Sequence, residues 1–113
     1  MVAEEKKILE EIFENKFHFV GESEFETGES SRIKEITKKF IGLFIDKFGA
    51  ESFQELKADA KVMNDDGTKK EYEVRILFVT DKGSYHSEKN GWEGYLVFKD
   101  ALEAIENQVY DNN

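Results

Sequence analysis

Residues 58–79 read ADAKVMNDDGTKKEYEVRILFV, and their alternation decides the fold. Ala58, Ala60 and Val62 alternate with Asp59, Lys61 and Met63. Tyr72, Val74, Ile76 and Phe78 then alternate with Glu71, Glu73, Arg75, Leu77 and Val79. A period of two places successive side chains on opposite faces of a strand. Between the two runs, Asn64–Asp65–Asp66–Gly67 supplies turn residues, so the runs form a hairpin. The end of the second run is apolar on both faces, which suits the middle of a sheet.

Downstream, Asp81–Lys82–Gly83–Ser84 marks a second hairpin turn. A third strand is expected to begin at Tyr85–Ser87, to be interrupted by Glu88–Lys89–Asn90–Gly91, and to resume over Trp92–Phe98. Asp100 is the expected cap of a final helix, with Ala101, Leu102, Ile105 and Val109 on one stripe. Residues 111–113 are expected to fray.

Upstream, residues 32–48 carry the strongest helical period. Ile33, Ile36, Phe40, Leu43, Phe44 and Lys47 form one stripe, widened by Ile41, Ile45 and Phe48. A helix apolar over so much of its circumference is touched on more than one side. Ser30 or Ser31 is the expected N-cap and Gly49 the stop. Residues 3–15 read as another helix, with Ile8, Leu9, Ile12 and Phe13 on one face and Glu4, Glu5, Glu10, Glu11 and Glu14 around them. Ser52 and Glu55 have the spacing to cap a short helical turn over Phe53–Leu56. Residues 17–26 change to a period of two and predict a strand. Phe17, Phe19 and Phe25 would face inward, and Glu22, Glu24 and Glu26 would form a row on the other face. The order α-β-α-β-β-β-α predicts one α+β domain over residues 1–113. Its small antiparallel sheet, a meander of three or four strands, would have two or three helices packed on one face.

The formal net charge is −9 and is unevenly spread. Residues 1–31 hold nine acids and three bases, whereas residues 32–48 hold five bases and two acids. Direct binding to nucleic acid is disfavoured, because phosphate contacts need a basic footprint. An anionic membrane surface is disfavoured for the same reason. The lysines of the central helix, Lys34, Lys38, Lys39 and Lys47, are expected to pair with the acids of the first helix. No apolar run approaches the length of a membrane span. The chain has no cysteine, which removes disulfides and thiolate chemistry and fits a cytoplasmic address.

Motifs for catalysis, metals and cofactors are absent. His18 and His86 lie in no metal-ligand spacing, and no Gly-x-Ser-x-Gly elbow is present. Asn64–Gly67 has only the opening of a calcium loop. The remaining signals are acidic and aromatic. Glu22, Glu24, Glu26 and Glu29 suit either a basic partner or the protection of a sheet edge. Trp92, between Gly91 and Glu93–Gly94, is expected in the core, with partner contact as its other role. Tyr85 and Tyr95 are expected at the surface. A partner-binding surface is therefore assigned to Glu22, Glu24, Glu26, Glu29, Tyr85, Trp92, Glu93 and Tyr95.

These features predict a non-enzymatic protein, a monomer or weak dimer without cofactor or metal, that binds a basic protein. The concrete form is a stoichiometric inhibitor of the toxin-immunity or phage anti-defence type. It would occlude the basic cleft of a nuclease or other nucleic-acid-handling enzyme. The alternative is a small-ligand-binding or enzymatic domain, its pocket between helix and sheet lined by Tyr72, His86, Trp92 and Glu93. A third reading is an assembly subunit, which would show an exposed apolar patch.

The charge distribution makes one prediction directly. The protein should not bind duplex DNA at physiological salt, as read by fluorescence anisotropy. Saturable micromolar binding would show that the lysines of residues 32–48 dominate the field.

Overall fold

Alternation in the second half of the chain produces three long strands, and helical periods on either side produce the layer that covers them. The computed structural model describes residues 2–111, with side chains for residues 9–111. The elements are α1 (Val2–Lys16), β1 (Phe17–Val20), a 3-10 turn (Glu22–Glu24), α2 (Thr27–Phe48), a second 3-10 turn (Ala50–Ser52), β2 (Phe53–Asp65), β3 (Lys70–Thr80), β4 (Gly83–Gly91) and α3 (Gly94–Asp111). The strands form one sheet in the order β1-β2-β3-β4. The fold is α+β, with helices packed on a four-stranded sheet.

Strands β2, β3 and β4 pair antiparallel through two tight turns. Strand β1 pairs parallel to β2, with Phe17 opposite Leu56 and Phe19 opposite Ala58. The sheet is therefore mixed, not wholly antiparallel as the meander suggested. The reason is α2: a crossover of that length returns the chain to the end of the sheet where β1 began.

One face of the sheet is covered. Leu56, Ala58, Val74, Ile76 and Phe78 point into the core with Ile33, Phe40, Ile41 and Phe44 of α2 and Phe98, Ala101, Leu102 and Ile105 of α3. Phe78 sits centrally, its ring 5.1 Å from Phe40, 4.9 Å from Phe44 and 5.6 Å from Phe53. The edge-to-face contacts with Phe40 and Phe44 suit the ring quadrupole. Helix α1 joins this layer through Phe13, 4.8 Å from Phe17, and crosses α2 where Lys38 meets Glu10 at 3.0 Å. The other face carries Lys57, Asp59 and Lys61 beside Glu73 and Arg75.

Several boundaries differ from the sequence reading. The strand expected over residues 17–26 stops at Val20. Gly21 has φ +87°, and a Cβ there would lie 1.9 Å from the Ala60 carbonyl oxygen. Only glycine makes this bend, and beyond it Glu22, Glu24 and Glu26 no longer share a strand face. Phe17, Phe19 and Phe25 still turn inward as a chain of rings, at 5.9 and 5.6 Å. Helix α2 starts at Thr27, a turn before the serines, and the backbone N–H of Ser30 donates to the Glu26 carbonyl at 2.9 Å. Leu43 of the expected stripe lies outside, 56% exposed, while Thr37 takes a buried place and donates to the Ile33 carbonyl. The helical turn expected over Phe53–Leu56 is strand, since the 3-10 turn ends at Ser52. Strand β4 runs unbroken to Gly91, and residues 94–98 begin α3 instead of resuming the strand. Val97 and Phe98 are buried on the same helical stripe as Ala101, Leu102 and Ile105. The expected faces of Glu4, Glu5 and Ile8 on the first helix lie outside the described side chains, and the fraying of residues 112–113 lies outside the described residues. Asp111 is still helical.

Gly21 provides the sharpest test of this architecture. Gly21→Ala must adopt a left-handed backbone and displace the β2 carbonyl, so a loss of about 2–4 kcal/mol is expected in a urea titration. An unchanged midpoint would show that the β1–β2 approach is looser than described.

Candidate aromatic and acidic cleft

Three pieces of chain converge on Tyr72, near the start of β3. Its ring stacks on Phe25 at 4.7 Å and an interplanar angle of 9°. Its hydroxyl donates to the Glu24 carbonyl at 3.0 Å. Gly94, the first residue of α3, lies beneath this stack: a Cβ there would meet the Phe25 ring at 2.7 Å and Tyr72 at 3.1 Å. The bend after β1, the hairpin and the start of α3 are thereby held together.

A cleft of about 630 Å³ opens beside this junction. Glu24, Glu26 and Glu29 reach it from the bend and the first turn of α2, and Glu93 from the β4–α3 connection. Trp92 and Tyr95 line it with Tyr72. Arg32 lies with its guanidinium carbon 3.9 Å from the centre of the Tyr95 ring. Lys69 comes from the β2–β3 turn and Lys70 from the first position of β3. That turn is organised by Asp66, whose Oδ1 accepts from the backbone N–H of Thr68 at 2.9 Å and of Lys69 at 2.6 Å. These bonds hold the Asp66 carboxyl below its ordinary pKa. Burial, and then the fields of Glu29, Glu24 and Glu26, raise the Tyr72 hydroxyl above its usual value. Three carboxylates thus act together at one point inside the cleft.

Six of the eight residues assigned from the sequence meet here: Glu24, Glu26, Glu29, Trp92, Glu93 and Tyr95. Glu22 and Tyr85 do not line this cleft. Glu22 accepts from Ser30 Oγ and pairs with Lys34, both at 2.5 Å, on the neighbouring surface. Tyr85 was expected at the surface but is half-buried, with its ring 6.3 Å from Phe78. Trp92 was expected in the core and is 44% exposed, because the strand that would have buried it ends at Gly91. Tyr95 is half-buried beneath Arg32. Of the alternative pocket residues, Tyr72, Trp92 and Glu93 line the cleft, while His86 is exposed on β4. Arg32, Lys69 and Lys70 escaped the sequence reading, since nothing in their spacing marks them and only the fold brings them to Trp92.

The α2 lysines follow expectation in part. Lys38 pairs with Glu10 of α1, but Lys34 pairs with Glu22, and Lys47 lies over the Tyr110 ring at 4.8 Å. His18 stands 3.7 Å from Glu55 at the surface. Among the described residues no hydroxyl hydrogen-bonds either histidine side chain, and no group of three or more acids and histidines is arranged to hold a metal. No described helix is long and apolar enough to cross a membrane. Compared by sequence, the chain matches no protein family and no characterised protein.

Glu22 titrates abnormally for a clear reason. Hydrogen bonds from Lys34 and Ser30 outweigh its partial burial and hold its carboxyl below the usual carboxylate range. A depressed carboxylate contributes stability above its unfolded pKa and loses it as pH falls through the folded value. Glu22→Gln should therefore flatten the acid limb of stability, read as urea midpoints between about pH 3 and 6. An unaltered acid limb would show that Lys34 and Ser30 do not hold Glu22 in solution.

Proposed function

We propose that the protein acts without catalysis, by binding a basic protein through the cleft around Trp92. The most concrete form is a stoichiometric inhibitor, of the toxin-immunity or phage anti-defence type, that occludes the nucleic-acid-binding cleft of its partner. One observation carries the reading. An exposed tryptophan lies in a cleft with Glu24, Glu26, Glu29 and Glu93, and none of these four carboxylates has an ion-pair partner among the described residues. Tryptophan is the residue type most enriched among binding anchors. Unpaired acids around it raise the rate at which a positive surface arrives and align it on contact. Glu22 is left out of this surface, because Lys34 already neutralises it.

A second reading has its own support. The volume of about 630 Å³ falls within the range of small-ligand sites, and Tyr72, Trp92 and Glu93 line it. The two readings part in a thermal-shift screen of small molecules. A ligand that stabilises the protein without any protein partner supports the second.

The binding reading is tested with Glu24, Glu26 and Glu29 changed together to Gln. Glu26 is exposed, Glu24 and Glu29 are half-buried, and none of the three forms an ion pair among the described residues, so no stabilising pair is lost and the far-UV spectrum should stay native. Against the partner recovered by low-salt affinity capture, association at low salt should slow by about tenfold or more, and its salt dependence should flatten. An unchanged rate and salt slope would remove the cleft from the interface.

A further inference from the structure

The aromatic rings of the cleft differ in what already covers them. Tyr72 is stacked on Phe25, and Tyr95 carries the Arg32 guanidinium on its face. Trp92 has neither a ring nor a cation against it among the described residues, although it is 44% exposed. Glu93 follows it in the chain and faces the same cleft. An exposed indole beside carboxylates that form no ion pair among the described residues is suited to an organic cation. The ring quadrupole attracts the charge, and the carboxylates accept its N–H groups. The protein already contains this pairing in Arg32 on Tyr95, at 3.9 Å.

We propose that Trp92 is the seat for an arginine side chain presented by the protein partner, with Glu93 and the carboxylates of the α2 end of the cleft as acceptors. This rests on the protein-binding reading above and adds the chemistry of the anchor. Arginine fits better than lysine. Its guanidinium is planar, stacks on an aromatic face, is weakly hydrated, and offers paired donors to a carboxylate. Lys69 and Lys70 in the same cleft select further. They repel a second cation brought into the same cleft, so the seat takes one arginine of the partner's basic surface.

Trp92 is the only tryptophan in the chain, so intrinsic fluorescence reports on this seat alone. The probes are blocked peptides of alternating glycine and arginine, and the same peptides with lysine or with citrulline, the neutral isostere of arginine. The arginine peptide should change Trp92 emission saturably. The lysine peptide should bind at least about threefold more weakly, and citrulline not at all. Glu93→Gln should weaken arginine binding. Lys69→Gln with Lys70→Gln should strengthen it, and calorimetry with Trp92→Ala should show it lost. Equal binding of lysine and arginine peptides with unchanged emission would overturn the seat and leave the acidic docking surface standing. No binding of any peptide, while the triple glutamine variant still loses its partner, would overturn the seat alone. If that variant also keeps its partner, both readings fall.

Discussion

Tyr72 is the point on which the geometry of the cleft depends. Its ring face is taken by Phe25, its hydroxyl by the Glu24 carbonyl, and its edge comes close to Gly94. The first two contacts tie β3 to the bend after β1, and the third ties it to the beginning of α3. A buried hydroxyl without a partner is costly, so the bond to Glu24 specifies where the bend must lie. The stack then leaves no space for a side chain at position 94. Together they place Glu24, Glu26 and Glu93 around one opening without any of them contributing to the core.

Charge is arranged in two ways in this molecule. On the uncovered face of the sheet it is locally balanced. Asp59, Arg75 and Glu88 stand opposite one another in register, and the Arg75 Nε lies 2.9 Å from Glu73 and 3.2 Å from Glu88. Lys34, Lys38 and Lys47 of α2 are similarly engaged, with Glu22, Glu10 and an aromatic ring. Around the cleft the balance is incomplete, and the acids are held apart from the cations that neutralise their neighbours. A net charge of −9 is thus less informative than the positions at which it is not compensated. Charge repelled within a fold is stabilised most readily by a partner that brings the opposite sign.

The hairpin of residues 58–79 was legible because alternation and turn residues agree there, and β2 and β3 follow it closely. The stripe of Ala101, Leu102, Ile105 and Val109 was legible for the same reason in helical period. The failures share a cause: a local pattern was overruled by a contact distant in sequence. Glu22, Glu24 and Glu26 alternate as a strand does, but the Ala60 carbonyl admits only glycine at position 21 and turns the chain away. Residues 94–98 alternate weakly, yet Val97 and Phe98 continue the α3 stripe when read at 3.6 residues per turn. Residue type alone singled out Glu24, Glu26, Glu29, Trp92, Glu93 and Tyr95 of the cleft lining, although Trp92 was expected first in the core. The cations of the cleft were not legible, since Arg32 reaches Tyr95 only after α2 and α3 have come together.

The parallel pairing of β1 with β2 bears on the order in which the chain assembles. Strands β2, β3 and β4 meet through neighbouring turns, so their contacts are local and close quickly. Phe17 must find Leu56 across about 40 residues that include the whole of α2, at a greater loop-closure cost. By this measure the three-stranded meander is the expected nucleus, and β1 is expected to dock after it. Because the bend carrying Glu24 and Glu26 follows β1 directly, the cleft is completed only when that docking occurs. A nascent chain thus synthesises one wall of its binding surface first and positions it last.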